Sequence, residues 1–378
     1  MIQRALESQV VNRLHQNKVL VITGARQVGK TTMLKNIFNR TDFSVLWLNA
    51  DEDRVRTLLS ELNVPSLQLV IGKYKYVVID EIQRIENAGL LLKILHDNFP
   101  EVQFIATSSS ALDISASLFE PLTGRHFLFH LHPFGLHELY RDSSPFEVEG
   151  ELPFHLIYGN YPDICNNRSD AKFLLQHLAG QYLYKDVLAW KDIRKPQILD
   201  KLLKLLAYQT GSEVSLHELA KQLKVSSETI DLYIDLLEKS FVVFRLKSIS
   251  RNPRKEVSKM SKIFFWDNGI RNAVIDNFDD MELRQDTGAL WENFMIAERL
   301  KSIVSQNSTP KSYFWRNYNQ SEVDYVEEIN GELSAFEMKW NTLTKQKVTK
   351  AFTNDYPDAE TQVITPRNFF KFTGLTES

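Results

Sequence analysis

Residues 24–31 read Gly-Ala-Arg-Gln-Val-Gly-Lys-Thr, and the apolar run Val19 to Ile22 stands just before them. No other pattern constrains the fold as much, because a G-x-x-x-x-G-K-[ST] loop works only between a buried strand and the start of a helix. Gly24 and Gly29 let the backbone curl so that its N–H groups point inward at an anion, and Lys30 reaches the outer phosphates. The Thr31 hydroxyl then faces Mg²⁺. From Thr32 to Phe38, the spacing of Met33, Leu34, Ile37 and Phe38 predicts a helix whose N-terminus meets the same anion. The expected nucleotide-binding set is therefore Gly24, Ala25, Arg26, Gln27, Val28, Gly29, Lys30, Thr31 and Thr32.

A matching acidic element follows at Tyr76-Val77-Val78-Ile79-Asp80-Glu81. An apolar run ending in two acids reads as a buried parallel strand whose tip brings a carboxylate to the phosphates. Asp80 is placed to hold Mg²⁺, and Glu81 to orient and deprotonate the water that attacks the γ-phosphate of ATP. Ser44 to Leu48 and Val102 to Ala106 are further strands, so strands alternating with helices predict an open parallel sheet with its ligand beyond the strand C-termini. The cluster Thr107 to Ser110 sits at such a strand end and fits either a contact to the γ-phosphate or a helix cap. Arg125 precedes the strand-like His126 to Leu131, and fits either stabilisation of transition-state charge, in its own or a neighbouring subunit, or a surface ion pair.

The size, 378 residues, allows two or three domains, and 43% hydrophobic with 25% charged residues is ordinary globular composition. A net charge of -3 excludes a whole-protein field for nucleic acid, so a DNA contact would need a local patch. The single cysteine, Cys165, cannot form an internal disulfide and reads as a small buried side chain rather than a nucleophile. Apolar stretches fall short of the ~20 residues of a membrane span, so a cytoplasmic location without a membrane partner is expected.

The phosphate loop, Ile79-Asp80-Glu81-Ile82-Gln83, the Ser108 to Ser110 cluster and Leu122-Thr123-Gly124-Arg125 together resemble the AAA-type ATPases that precede a domain of unknown function, of the DUF4143 type, in many bacterial and archaeal proteins. The resemblance spans the whole chain. It implies ATP and Mg²⁺ as cofactors, Ser109 as the polar sensor and a homo-oligomer, since such sites are usually completed between subunits. Family members show Thr-Gly-Ser-Ser where this chain has Thr107-Ser108-Ser109-Ser110.

In the middle of the chain, the helical, aromatic-rich stretch His155 to Val187 reads as a lid or linker, with a turn at Tyr158-Gly159-Asn160-Tyr161-Pro162-Asp163. Helices at Leu199 to Tyr208, Leu216 to Leu223 and Ser227 to Glu238, followed by the strand-like Phe241 to Leu246, predict a winged helix-turn-helix, with Ser215 or His217 starting the second helix and Ser226 capping the third. The third helix carries Glu228, Asp231, Asp235 and Glu238 against Lys239 alone, a poor match to a polyanion. The basic stretch Lys247 to Lys262, with Arg251, Arg254, Lys255 and Lys259, is the candidate DNA contact, and the same charges suit a protein-facing surface.

Toward the C-terminus, Glu292 on a predicted helix, Asp324 on one alternating strand and Glu337-Met338-Lys339 on another resemble the core of restriction-endonuclease-like nucleases. That resemblance implies that Asp324 and Glu337 hold Mg²⁺, Lys339 positions water or stabilises charge, and Glu292 supports the metal shell. Glu337 and Lys339, two apart in a strand, face one side.

The expected fold class is α/β. A P-loop NTPase (AAA-like) parallel-sheet domain at 1–145 is followed by a helical lid at 146–195, a winged helix at 196–262 and a mixed α/β restriction-endonuclease-like domain at 263–378. The expected function is ATP binding and hydrolysis that controls a C-terminal effector. An ATP-regulated, metal-dependent nuclease and a nucleotide-gated protein-interaction module are the alternatives.

Overall fold

The computed structural model describes residues 2–41, 43–109, 120–180, 195–249, 261–306, 310–341, 343 and 347–375. They fall into two compact units, Met1–His132 with Lys239–Phe241, and Pro133–Glu238 with Val242–Ser378.

The first unit is built on a five-stranded sheet in the order β2-β3-β4-β1-β5. Its strands are β1 (Val19–Thr23), β2 (Val45–Asn49), β3 (Tyr76–Asp80), β4 (Gln103–Ser108) and β5 (His126–His130), and every pairing is parallel. All five residues of β1 are buried, as a strand covered on both faces requires. The helices are α1 (Leu6–Arg13), α2 (Lys30–Asn39), α3 (Asp53–Ser60), α4 (Val64–Ile71) and α5 (Ala88–Asn98). Met33, Leu34, Ile37 and Phe38 form the buried stripe of α2, and Leu91, Leu92 and Leu95 that of α5. Leu59, Leu67, Val77, Ile79 and Phe104 join Leu91, Leu92 and Leu95 of α5 in one core on that side of the sheet. Because β1 lies between β4 and β5, while the chain after β1 runs to the far edge at β2, the end of β1 opens the crevice where a doubly wound sheet binds ligand.

The second unit holds a seven-stranded mixed sheet in the order β12-β11-β10-β9-β7-β8-β6. Its strands are β6 (Glu213–Val214), β7 (Val243–Ser248), β8 (Ser261–Phe265), β9 (Lys311–Arg316), β10 (Glu322–Ile329), β11 (Glu332–Met338) and β12 (Glu360–Ile364). The helices Pro196–Tyr208, Leu216–Leu223 and Ser227–Lys239 precede β7. Ser215 Oγ accepts from Glu218 N at 3.3 Å and Ser226 Oγ from Thr229 N at 3.2 Å, so both predicted serine caps form. Strands β7 and β9 pair in parallel, joining 196–262 and 263–378 in one sheet. The helix Thr287–Ser305 buries Trp291, Phe294, Met295 and Ile296 in a core shared with Phe264, Phe314 and Tyr325. No helix among the described residues is long and apolar enough to cross a membrane.

Candidate functional site

Two glycines set the shape of the loop after β1. A Cβ on Gly24 would lie 2.0 Å from the Leu131 carbonyl oxygen, so only glycine lets the loop pass the end of β5. Gly29 starts α2 at φ 94°, a left-handed value that a Cβ disfavours. Lys30 is 5% exposed, and its Nζ donates to the Gly24 carbonyl at 2.8 Å and the Ala25 carbonyl at 3.0 Å, which holds the ammonium across the curl of the loop.

The two acids at the end of β3 diverge. Asp80 ends the strand, whereas Glu81 adopts φ 54°, a left-handed conformation unusual for a non-glycine residue. Asp80 Oδ2 accepts from Thr31 Oγ1 at 2.7 Å, and its other oxygen accepts from Thr107 Oγ1. Glu81 Oε2 accepts from Ser109 Oγ at 2.9 Å and from Gln83 Nε2, which also donates to Ser109 Oγ at 2.8 Å. The Thr107 hydroxyl further accepts from Glu81 N at 3.2 Å, so one side chain of β4 touches both acids. Lys30, Thr31, Asp80, Glu81 and Ser109 thus meet at the C-terminal edge of the sheet, and Thr107 and Gln83 join them. In the sequence Gln83 stood only as the last residue of Ile79-Asp80-Glu81-Ile82-Gln83, with no role of its own. Ser110 lies outside the described residues.

Arg125 does not reach this edge. Its carbonyl accepts from Val19 N at 2.9 Å at the beginning of β1, so it stands one strand length, roughly 16 Å, from the loop. Its guanidinium pairs with Asp97 at 3.1 Å, so within its own chain it forms an ion pair at the surface and does not serve this site.

The Thr31 hydroxyl and Asp80 carboxylate fit Mg²⁺ chemically, being adjacent hard oxygen donors beside an anion-binding loop.

The second unit also gathers its expected acids. Asp324 lies where the pairing of β10 with β9 shifts register between Val323 and Val326, an irregularity that re-aims side chains. Asp324 Oδ2 accepts from Met338 N at 2.7 Å, and Lys339 Nζ sits 2.9 Å from Glu337 and 3.5 Å from Asp324. Glu292 meets Lys262 Nζ at 3.0 Å, and Lys262 also binds Glu322 at 2.5 Å. Burial and the neighbouring Asp324 push the Glu292 carboxyl up to about 8 and Glu337 up to about 7. Burial works against the Lys262 ammonium, but Glu292, Glu322 and Asp324 outweigh it and raise its pKa. Among the described residues, no three His, Cys, Asp or Glu side chains group so as to hold a metal ion.

Lys262 corrects one expectation. It is 1% exposed and bonded to two glutamates, so it cannot belong to a DNA-facing patch. Arg251, Arg254, Lys255 and Lys259 lie outside the described residues. On the helix Ser227–Lys239, Asp231 and Glu238 are both paired to Arg245, at 2.7 and 3.2 Å. Burial, with Asp267 nearby, pushes the Cys165 thiol up to about 12, which disfavours the thiolate a nucleophile needs.

Three family models match in succession: an AAA domain at residues 16–140, a domain of unknown function (DUF8612) at 149–281, and a domain of unknown function (DUF4143) at 287–371. An uncharacterized protein of Mycobacterium tuberculosis is 26% identical over 342 residues, covering 89% of this chain and 74% of that protein. An uncharacterized protein of Methanocaldococcus jannaschii is 25% identical over 377 residues, covering 92% and 82%. Among solved structures, a Walker-type ATPase of Pyrococcus abyssi shares the fold at TM-score 0.50 and 15% identity, covering 73% of this chain and 96% of that one. These matches, with the fold of the first unit, support a P-loop ATPase domain of the AAA type followed by a DUF4143-type region.

Proposed function

We propose that the first unit binds and hydrolyses MgATP and that its nucleotide state controls the second unit as an effector. The observation that carries this is the divergence of Asp80 and Glu81, with Asp80 against Thr31 of the phosphate loop and Glu81 held apart by Ser109 and Gln83. The loop N–H groups and Lys30 bind the phosphates, and Thr31 and Asp80 hold Mg²⁺. The metal ion supplies charge compensation for the phosphate oxygens. Glu81 orients the attacking water and accepts its proton, while Ser109 and Gln83 keep that carboxylate aimed. ATP-driven control of a partner or of DNA by the second unit, and assembly into a homo-oligomer, are part of the same reading. The helices Pro196–Tyr208, Leu216–Leu223 and Ser227–Lys239 with β6, β7 and β8 are read as a winged helix-turn-helix.

MgATP turnover tests the assignment. Lys30→Ala loses nucleotide binding, and Glu81→Gln keeps ATP bound while kcat falls by about 10²–10⁴. Turnover retained in both variants rejects it.

A further inference from the structure

We propose that Arg4, ahead of the phosphate loop in sequence, is a positioning residue for it, holding the Val28 carbonyl outward so that the N–H groups after it stay turned toward a phosphate. The inference rests on the ATP reading above. Arg4 immediately precedes the first turn of α1 and is 6% exposed. Its Nη1 donates to the Val28 carbonyl at 2.7 Å and its Nη2 to the His132 carbonyl at 2.7 Å. The Val28 carbonyl and the Gly29 N–H belong to one planar peptide group and point in opposite directions, so fixing one aims the other. A loop carbonyl turned inward would face phosphate oxygens with a like partial charge. A guanidinium on its outer side opposes that rotation through charge-assisted hydrogen bonds.

The loop needs such a brace, because Gln27 at φ 62° and Gly29 at φ 94° both sit in the left-handed region, on either side of Val28. The brace is anchored on both ends. His132 continues from Leu131, whose N–H donates to the Thr23 carbonyl at 2.7 Å, so the second acceptor of Arg4 is tied to the end of β1. Helix α1 is fixed by buried Leu6 and Val10, and by Glu7, whose carboxylate meets Arg40 beyond the end of α2 at 2.9 Å. Arg4 is held between the sheet and the helix that the loop feeds, and acts on ATP through the loop.

The test compares Arg4→Ala, Arg4→Lys and Leu59→Ala in the full chain by steady-state MgATP turnover and thermal melting. Arg4→Ala raises the KM for ATP about tenfold, equivalent to about 1.4 kcal/mol, while kcat changes far less. Arg4→Lys recovers part of the loss, since an ammonium offers donors without the fork that reaches both carbonyls. Leu59→Ala, in the core of the first unit away from the brace, lowers Tm but leaves KM near the wild-type value. An unchanged KM in Arg4→Ala, or a KM rise in Leu59→Ala as large as that in Arg4→Ala, overturns the positioning role. The ATP reading is judged separately, by wild-type turnover and its loss in Lys30→Ala, and absence of wild-type turnover overturns both.

Discussion

Each unit of this chain gathers carboxylates at its sheet, and the two gatherings are neutralised in different ways. Asp80 and Glu81 are held by hydroxyls and an amide, from Thr31, Thr107, Ser109 and Gln83, none of which brings a charge. Glu292, Glu322, Asp324 and Glu337 are instead held by Lys262 and Lys339. Neutral partners fix the direction of an acid and leave its charge for an incoming cation. Lysines cancel that charge from within, and a metal ion would have to displace an ammonium to bind. The same residue types therefore suit cation-dependent chemistry in one unit and a buried ion-pair network in the other.

The largest effect that could break this comparison is at Lys262. Removing it by Lys262→Ala leaves Glu292 without its cation and Glu322 with Arg316 alone, and the second unit should lose about 3–5 kcal/mol of stability, measured by denaturant unfolding. A loss below about 1 kcal/mol would mean that the lysine does not neutralise the cluster. A smaller effect is expected at Thr107, which contacts both acids of the first unit. Thr107→Val should cost about 1–1.5 kcal/mol of transition-state stabilisation, near tenfold in kcat/KM, with little change in Tm.

A pH slope reads the same cluster without removing a side chain. Glu292 is pushed from the ordinary 4.5 up to about 8, so between these values the folded chain binds more protons than the unfolded one. Its contribution to stability is full below about 4.5 and is lost as pH rises through 8. Melting of the second unit should fall over that window, and Glu292→Gln should flatten the slope. A slope unchanged in that variant would remove Glu292 as its source.

How much could be read in advance follows the range of the interactions. The strand before the phosphate loop and the helix after it appear as Val19–Thr23 and Lys30–Asn39, because hydrophobic period and glycine chemistry are local. Asp80 and Glu81 were legible for the same reason, as an apolar run ending in acids. Arg125 was not, since a residue before a strand gives no sign of which edge of the sheet it occupies; the parallel pairing of β5 with β1 puts it at the far one. Lys262 read as one more positive charge in a basic stretch, while its partners Glu292 and Glu322 stand 30 and 60 positions later. The brace from Arg4 to Val28 spans 24 positions and ends on a backbone carbonyl, which leaves no mark in the sequence pattern.

Divalent-metal binding distinguishes the two acid clusters most directly. Mn²⁺ titrated into the full chain and followed by electron paramagnetic resonance should occupy a site that requires ATP, disappears in Asp80→Asn and is unaffected by Asp324→Asn. Mn²⁺ that binds without nucleotide and is lost in Asp324→Asn would contradict the account, and would make the second unit a metal centre instead of an ion-pair network.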